Sequence, residues 1–202
     1  MSTLVSIAMS IITISKYLYI ISFIIWLLPP LRQFKGKYFL YFLILALNDP
    51  LSYVYTYVIM KGSSNLWIII LSYYFLIISI TERDVLKKNM YVFMVILVFL
   101  IVVSILNLAP NYYFTIIVLE HSIILLIFLR IFITNYVNYR KINLFTLLLI
   151  IYELMFTLKF FNFIIGFADA VAFFIITSFA QIALGFFFSI FREDNPRLLV
   201  QL

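Results

Sequence analysis

Seven ionisable side chains interrupt long apolar runs in this sequence: Lys16, Asp49, Glu120, His121, Glu153, Lys159 and Asp169. In hydrocarbon, a charge at mid-depth costs on the order of 3 kcal/mol. Each such group must pair, sit in a wet cavity or be neutralised, and these are the states that ligand sites and proton relays use. The stretch Leu47-Asn48-Asp49-Pro50-Leu51-Ser52-Tyr53 adds a helix breaker to a carboxylate and an amide. Proline has no backbone N–H, so the carbonyl of Ala46 loses its helical partner and a kink is expected there. Asp49, Ser52, Tyr53 and Thr56 share one helix face by their spacing. Asn48, Asp49, Glu120, His121 and Glu153 are therefore the candidate ligand or proton site. A plainer reading stands beside it. Asn48 and Asp49 can serve carbonyls freed at the kink, and Glu120 and His121, about 100° apart on a helix, can each hold a neighbouring helix.

The elements that position these groups are membrane helices. Of 202 residues, 66% are hydrophobic and 11% charged, which excludes an ordinary soluble domain. About 20 apolar residues cross the hydrocarbon as a helix. Strand barrels alternate apolar and polar residues, and the run from Phe93 to Leu100 does not. The expected fold is an all-α membrane protein, a seven-transmembrane-helix bundle. Its spans are 4–28, 38–60, 66–80, 90–108, 112–134, 142–165 and 167–191. Residues 1–191 form one domain, and 192–202 a short cytoplasmic tail. Pro29-Pro30 is expected to end the first helix, the segment 61–65 to turn after the second, and Ala109-Pro110-Asn111 to separate the fourth from the fifth. The first run lacks a preceding basic residue and a small-residue cleavage site, so an uncleaved helix is expected rather than a signal peptide. With cysteine absent, disulfide and thiolate chemistry are excluded.

The net charge of +6 is not a nucleic-acid patch, because the basic residues alternate with the loops. Arg32, Lys35 and Lys37 lie in the first loop, and Arg83, Lys87 and Lys88 in the third. Arg130, Arg140 and Lys141 lie around the end of the fifth span, and Arg192 and Arg197 in the tail. Lys61 alone falls on the opposite side. Positive residues stay inside, so the N-terminus is expected outside and the C-terminus in the cytoplasm.

In that frame, Asp49 lies about 16 Å from the inner face, Glu153 about 16 Å from the same face, and Glu120 about 12 Å from the outer one. These acids are expected to converge on one layer. Lys159 and Asp169, on helices joined by a minimal turn, are expected to form a structural ion pair, although lysine can also snorkel. Lys16, further from an interface, calls for a carboxylate partner. In the last span, Ser178, Gln181, Gly185 and Ser189 form a small and polar stripe suited to close helix packing, within the bundle or against another subunit. One histidine beside one glutamate is thin for a metal site. No His-Glu-x-x-His, Gly-x-Ser-x-Gly or glycine-rich phosphate motif occurs, so no metal, cofactor or catalytic residue is assigned.

Leu47-Asn48-Asp49-Pro50-Leu51-Ser52-Tyr53, with Gly62-Ser63-Ser64-Asn65-Leu66-Trp67 opening the third span, resembles a loose group of small bacterial seven-helix membrane proteins. Similar helix sets occur as membrane sensor regions of bacterial signalling proteins. The resemblance covers roughly a third of the chain through short motifs. It implies a bundle in the bacterial inner (cytoplasmic) membrane and transfers no catalytic residue. No output domain follows Phe191, so signalling is expected to pass through a partner. The expected function is a non-enzymatic, sensor-like or accessory subunit of a larger membrane complex. Its expected partners are the lipid bilayer and a membrane protein or second copy, with no nucleic acid. The alternatives are a small transporter or proton-coupled carrier using the intramembrane carboxylates, and an intramembrane hydrolase.

Overall fold

Apolar helices of this length must be covered, and the two longest cover each other. The computed structural model describes residues 13–14, 17–59, 66–106 and 108–201. Within it, α7 (Pro110–Tyr139) and α8 (Leu144–Ile165) pack closely. They run antiparallel: Phe114 meets Phe160 and Phe163, while His121 meets Phe156 and Glu153. Pro110 begins α7, where its missing N–H costs nothing. Asn143 caps α8, accepting from Phe145 N (2.9 Å) and Thr146 N (3.3 Å). Gly166 ends α8 in the left-handed region at φ 68°, a conformation that favours glycine.

Around this pair, α1 (17–26), α2 (Leu28–Arg32), α3 (Phe39–Val54), α4 (Leu66–Ile80) and α9 (Ala170–Ile190) complete the fold. The packing order closes a ring: α3 on α4, α4 on α7, α7 on α8, α8 on α9, α9 on α2, and α2 on α3. α6 (Met90–Ile105) lies outside it against α4, with only Leu100 and Val103 buried. Among the described residues, Pro110–Tyr139, Leu144–Ile165 and Val171–Ile190 are long and apolar enough to cross a membrane. Shorter apolar helical stretches are Tyr17–Arg32, which joins α1 and α2 across the turn at Leu27, Phe39–Val54, Leu66–Ile80 and Met90–Ile105.

Several local expectations change. Pro29-Pro30 does not end the helical run. A turn at Leu27 does, and both prolines sit in the first turn of α2, where proline is tolerated. Pro50 lies inside α3, which continues to Val54 and then widens into a π-helical turn, Tyr55–Ile59. There the Tyr55 N–H is shared between the carbonyls of Leu51 and Ser52. The third loop contains a short helix, α5 (Arg83–Lys88), with its charged side chains exposed. The turn expected over 61–65 lies outside the described residues.

The C-terminal segment is more than a tail. A strand β1 (Lys141–Asn143) pairs antiparallel with β2 (Leu199–Gln201). The Gln33 amide donates to the carbonyls of Phe188 (3.2 Å) and Phe191 (2.8 Å), and Arg32 Nε donates to Ile190 O at 3.0 Å. The Glu193 carboxylate accepts from the backbone N–H groups of Lys37 and Tyr38, at the start of α3. A carboxylate at a helix N-terminus satisfies orphan donors and complements the dipole. This end of the bundle is therefore stitched shut. Just inside it, Phe42, Phe145 and Phe188 pack ring against ring, with Phe42–Phe188 and Phe145–Phe188 centroids each 5.1 Å apart.

Candidate functional site

The helical spacing of α7 buries Ile117, Glu120, His121, Ile124 and Phe128, and that of α8 buries Phe145, Leu149, Tyr152 and Glu153. Where these stripes meet, His121 Nδ1 lies 2.6 Å from Glu153 Oε2, with both side chains fully buried. From α3, the Tyr41 hydroxyl donates to the other carboxylate oxygen, Glu153 Oε1. Tyr41 is also fully buried. The carboxylate thus receives one partner per oxygen from two different helices, as an interior charge requires.

His121 is caged by rings. Tyr73 of α4 lies with its centroid 4.3 Å away, and Phe156 and Phe160 stack on the imidazole at 5.2 and 5.8 Å. Aromatic faces attract a cation, by about 2 kcal/mol or more when desolvated. The cage therefore suits an imidazolium as well as a neutral ring. His121 Nε2, across the ring from Glu153, is buried with no hydrogen-bond partner. Neither oxygen of Glu120 has one, and that residue is buried too. Chemically, the cluster can take up and release a proton at Nε2 while Glu153 holds Nδ1. Among the described residues, no three His, Asp or Glu side chains gather as a metal-binding group.

The other candidates fall around this centre. Asn48 is buried with Oδ1 unpartnered, and Ser52 is buried one turn on. The inward face of α3 is thus Tyr41, Asn48 and Ser52, followed by the half-buried Thr56 in the π-helical turn, while Asp49 and Tyr53 are exposed beside it. The shared face expected from Asp49 is rotated by one residue, about 100°. The convergence of acids is partial. Asp49, Glu153 and Glu120 all act electrostatically on Tyr73, but only Glu153 joins the histidine.

The expected Lys159–Asp169 pair is replaced by two separate arrangements. Asp169 caps α9, accepting from Ala172 N at 2.7 Å. The Lys159 ammonium sits over Phe174 (4.8 Å) and Phe156 (5.7 Å), and its electrostatic partner is Asp49 across the bundle. A cap needs its carboxylate turned to the backbone of its own helix, which takes it away from α8. Asn162 secures the α8–α9 connection by exchanging hydrogen bonds with the backbone of Ala168. Lys16 lies outside the described residues.

The small stripe on α9 faces α1 within the chain. Ser178 and Ser189 donate to the carbonyls of Phe174 and Gly185, and Gln181 O accepts from Trp26 Nε1 at 3.2 Å. At Gly185 an added Cβ would fall 2.7 Å from Ile25 Cγ2, so glycine is what allows the close approach. The sequence analysis did not single out Tyr41, Tyr73, Tyr152 and Trp26, which the structure brings to the site. A signal existed in the spacing of Tyr41, Asn48, Ser52 and Thr56, which repeats along one face. No protein-family model matches the chain, and neither curated proteins nor solved structures give a match to it.

Proposed function

We propose that the chain is a non-enzymatic integral membrane protein of seven spans that acts as a proton-responsive, sensor-like subunit. The Tyr41–Glu153–His121 cluster is its switch. One observation carries the reading: the chain's single histidine is fully buried on a carboxylate, caged by aromatic rings, with one ring nitrogen unpartnered. Proton uptake at that nitrogen changes the charge of a water-poor core by one unit, which the surrounding helices must accommodate. The filled aromatic core supports a switch over a transport conduit. A small proton-coupled carrier is the second reading, favoured by Asp49 and Lys159 acting on each other across the bundle.

Trp26 supplies the test, since its ring lies 4.6 Å from that of Tyr152, the neighbour of Glu153. With Trp67→Phe, Trp26 is left as the only tryptophan. In liposomes equilibrated on both faces, lowering pH from about 7.5 to about 5.5 spans the window in which imidazoles change charge. A reversible change in Trp26 emission is expected, and its loss in Glu153→Gln. An equal response in Glu153→Gln refutes the switch.

The proposed orientation places the N-terminus outside and the C-terminus in the cytoplasm of a bacterial inner membrane, supported by the basic loops. Single cysteines at Ser63 and Asn111 are expected to react with an impermeant thiol reagent from outside, and those at Gln33 and Asn138 to stay unlabelled. The reverse pattern overturns the topology.

A further inference from the structure

Where α3 and α4 meet, their exposed side carries an open groove of about 370 Å³, within the range of about 300–1,000 Å³ that ligand sites occupy. Leu40, Leu47 and Leu51 of α3 and Phe75 of α4 form its exposed rim, and Ile44 and Ile78 its half-buried floor. Two serines also line it, Ser72 and Ser79, and the Ser79 hydroxyl is spent on Leu76 O of its own helix at 2.7 Å. Such a wall offers little to a polar ligand and suits a hydrocarbon chain.

The length and the ends of the groove narrow the occupant. From Leu40 to Leu51 it runs about 16 Å along α3, half of the roughly 30 Å of a bilayer's hydrocarbon and so the depth of one leaflet. Tyr55, just past α3, packs on Trp67 at the start of α4 with centroids 4.9 Å apart. The start of α3 and the end of α4 therefore share the opposite end. There Lys37 precedes Leu40 by three residues and Arg83 follows Ser79 by four, each about one helical turn beyond the groove. Lys35, Lys87 and Lys88 are exposed in the same two loops, against the acidic Glu82 and Asp84. The Glu193 carboxylate is turned to the backbone N–H groups of Lys37 and Tyr38, so the α3 N-terminus is already served. A further anion at this end must be held by basic side chains.

From these we infer that the α3–α4 groove binds an anionic phospholipid, with one acyl chain along Leu40, Leu47, Leu51 and Phe75 and the phosphate held by Lys37 and Arg83. Lysine and arginine stems lie along apolar surface while their charged ends reach the headgroup layer. A zwitterionic lipid meets the same apolar wall without the net charge, so selectivity resides in the headgroup. The inference is independent of the proton switch. It rests on the seven-span reading, which puts α3 and α4 in the bilayer, and the thiol-labelling pattern tests that premise separately.

The test offers the full chain, delipidated in mild detergent, phosphatidylglycerol or phosphatidylcholine with identical acyl chains, and counts bound lipid by native mass spectrometry. One phosphatidylglycerol per chain is expected to stay bound, at least about tenfold more tightly than phosphatidylcholine. Lys37→Gln with Arg83→Gln is expected to erase that preference. Lys141→Gln with Arg197→Gln, on and beside the strand pair and outside the groove's lining, is expected to keep it. Phosphatidylglycerol with six-carbon chains carries the headgroup but cannot fill the groove, and is expected to bind at least about tenfold more weakly. Ser72→Phe, which fills the groove, is expected to release the long-chain lipid. Equal retention of the two lipids by the parent overturns the site. So does a preference that survives the loss of Lys37 and Arg83, or one that falls equally in the strand-pair variant. Tight binding of the short-chain lipid, or full retention by Ser72→Phe, removes the acyl chain from the groove and overturns it as well.

Discussion

Glu153→Leu is expected to destabilise the protein by about 3–5 kcal/mol, because it strands the Tyr41 hydroxyl and the His121 Nδ1 proton in a dry core. Ordinary hydrogen bonds between membrane helices contribute only about 0.6 kcal/mol on average. A loss on that smaller scale would mean that the contact is incidental. His121→Leu is expected to cost a similar amount, since it leaves the Glu153 carboxylate with Tyr41 as its one partner. The double variant, apolar on both sides, removes the stranded charge along with its partner. It is expected to lose well under the sum of the singles, with a coupling of about 1–3 kcal/mol. Reversible unfolding in mixed micelles measures all four corners of this cycle. Additive losses would dissolve the cluster as an energetic unit.

The all-α character and the three helices long enough to cross a membrane were legible in the sequence because apolar length advertises them. The run around α7 and the Gly166 junction were visible on those grounds. Glu153 and Glu120 are both buried, on the faces that α8 and α7 turn inward. Helix rotation was harder to read. In an almost wholly apolar helix, no polar face marks the outside, and a single residue's error turns a side chain by about 100°. An error of that size is what separates the exposed Asp49 from the buried Asn48 next to it.

Tyr41 went unread for a related reason. Phenolic rings are common at membrane interfaces and in cores, so one tyrosine among 15 stands out only by its spacing to Asn48, Ser52 and Thr56 along one face. The strand pair at the closed end rests on backbone bonds between segments nearly 60 residues apart, Lys141–Asn143 and Leu199–Gln201, and no local pattern announces it.

The switch comes down to one atom, His121 Nε2, and the chain has no other histidine to confuse the reading. Nitrogen-15 magnetic resonance of histidine-labelled protein in lipid observes both ring nitrogens directly. The account predicts that Nδ1 carries its proton toward Glu153 at both about pH 7.5 and about pH 5.5, while Nε2 changes from bare to protonated between them. In Glu153→Gln the Nε2 change is expected to shift out of that range or vanish. An Nε2 signal that stays the same across the whole range in the parent protein would contradict the central claim and reduce His121 and Glu153 to a structural pair.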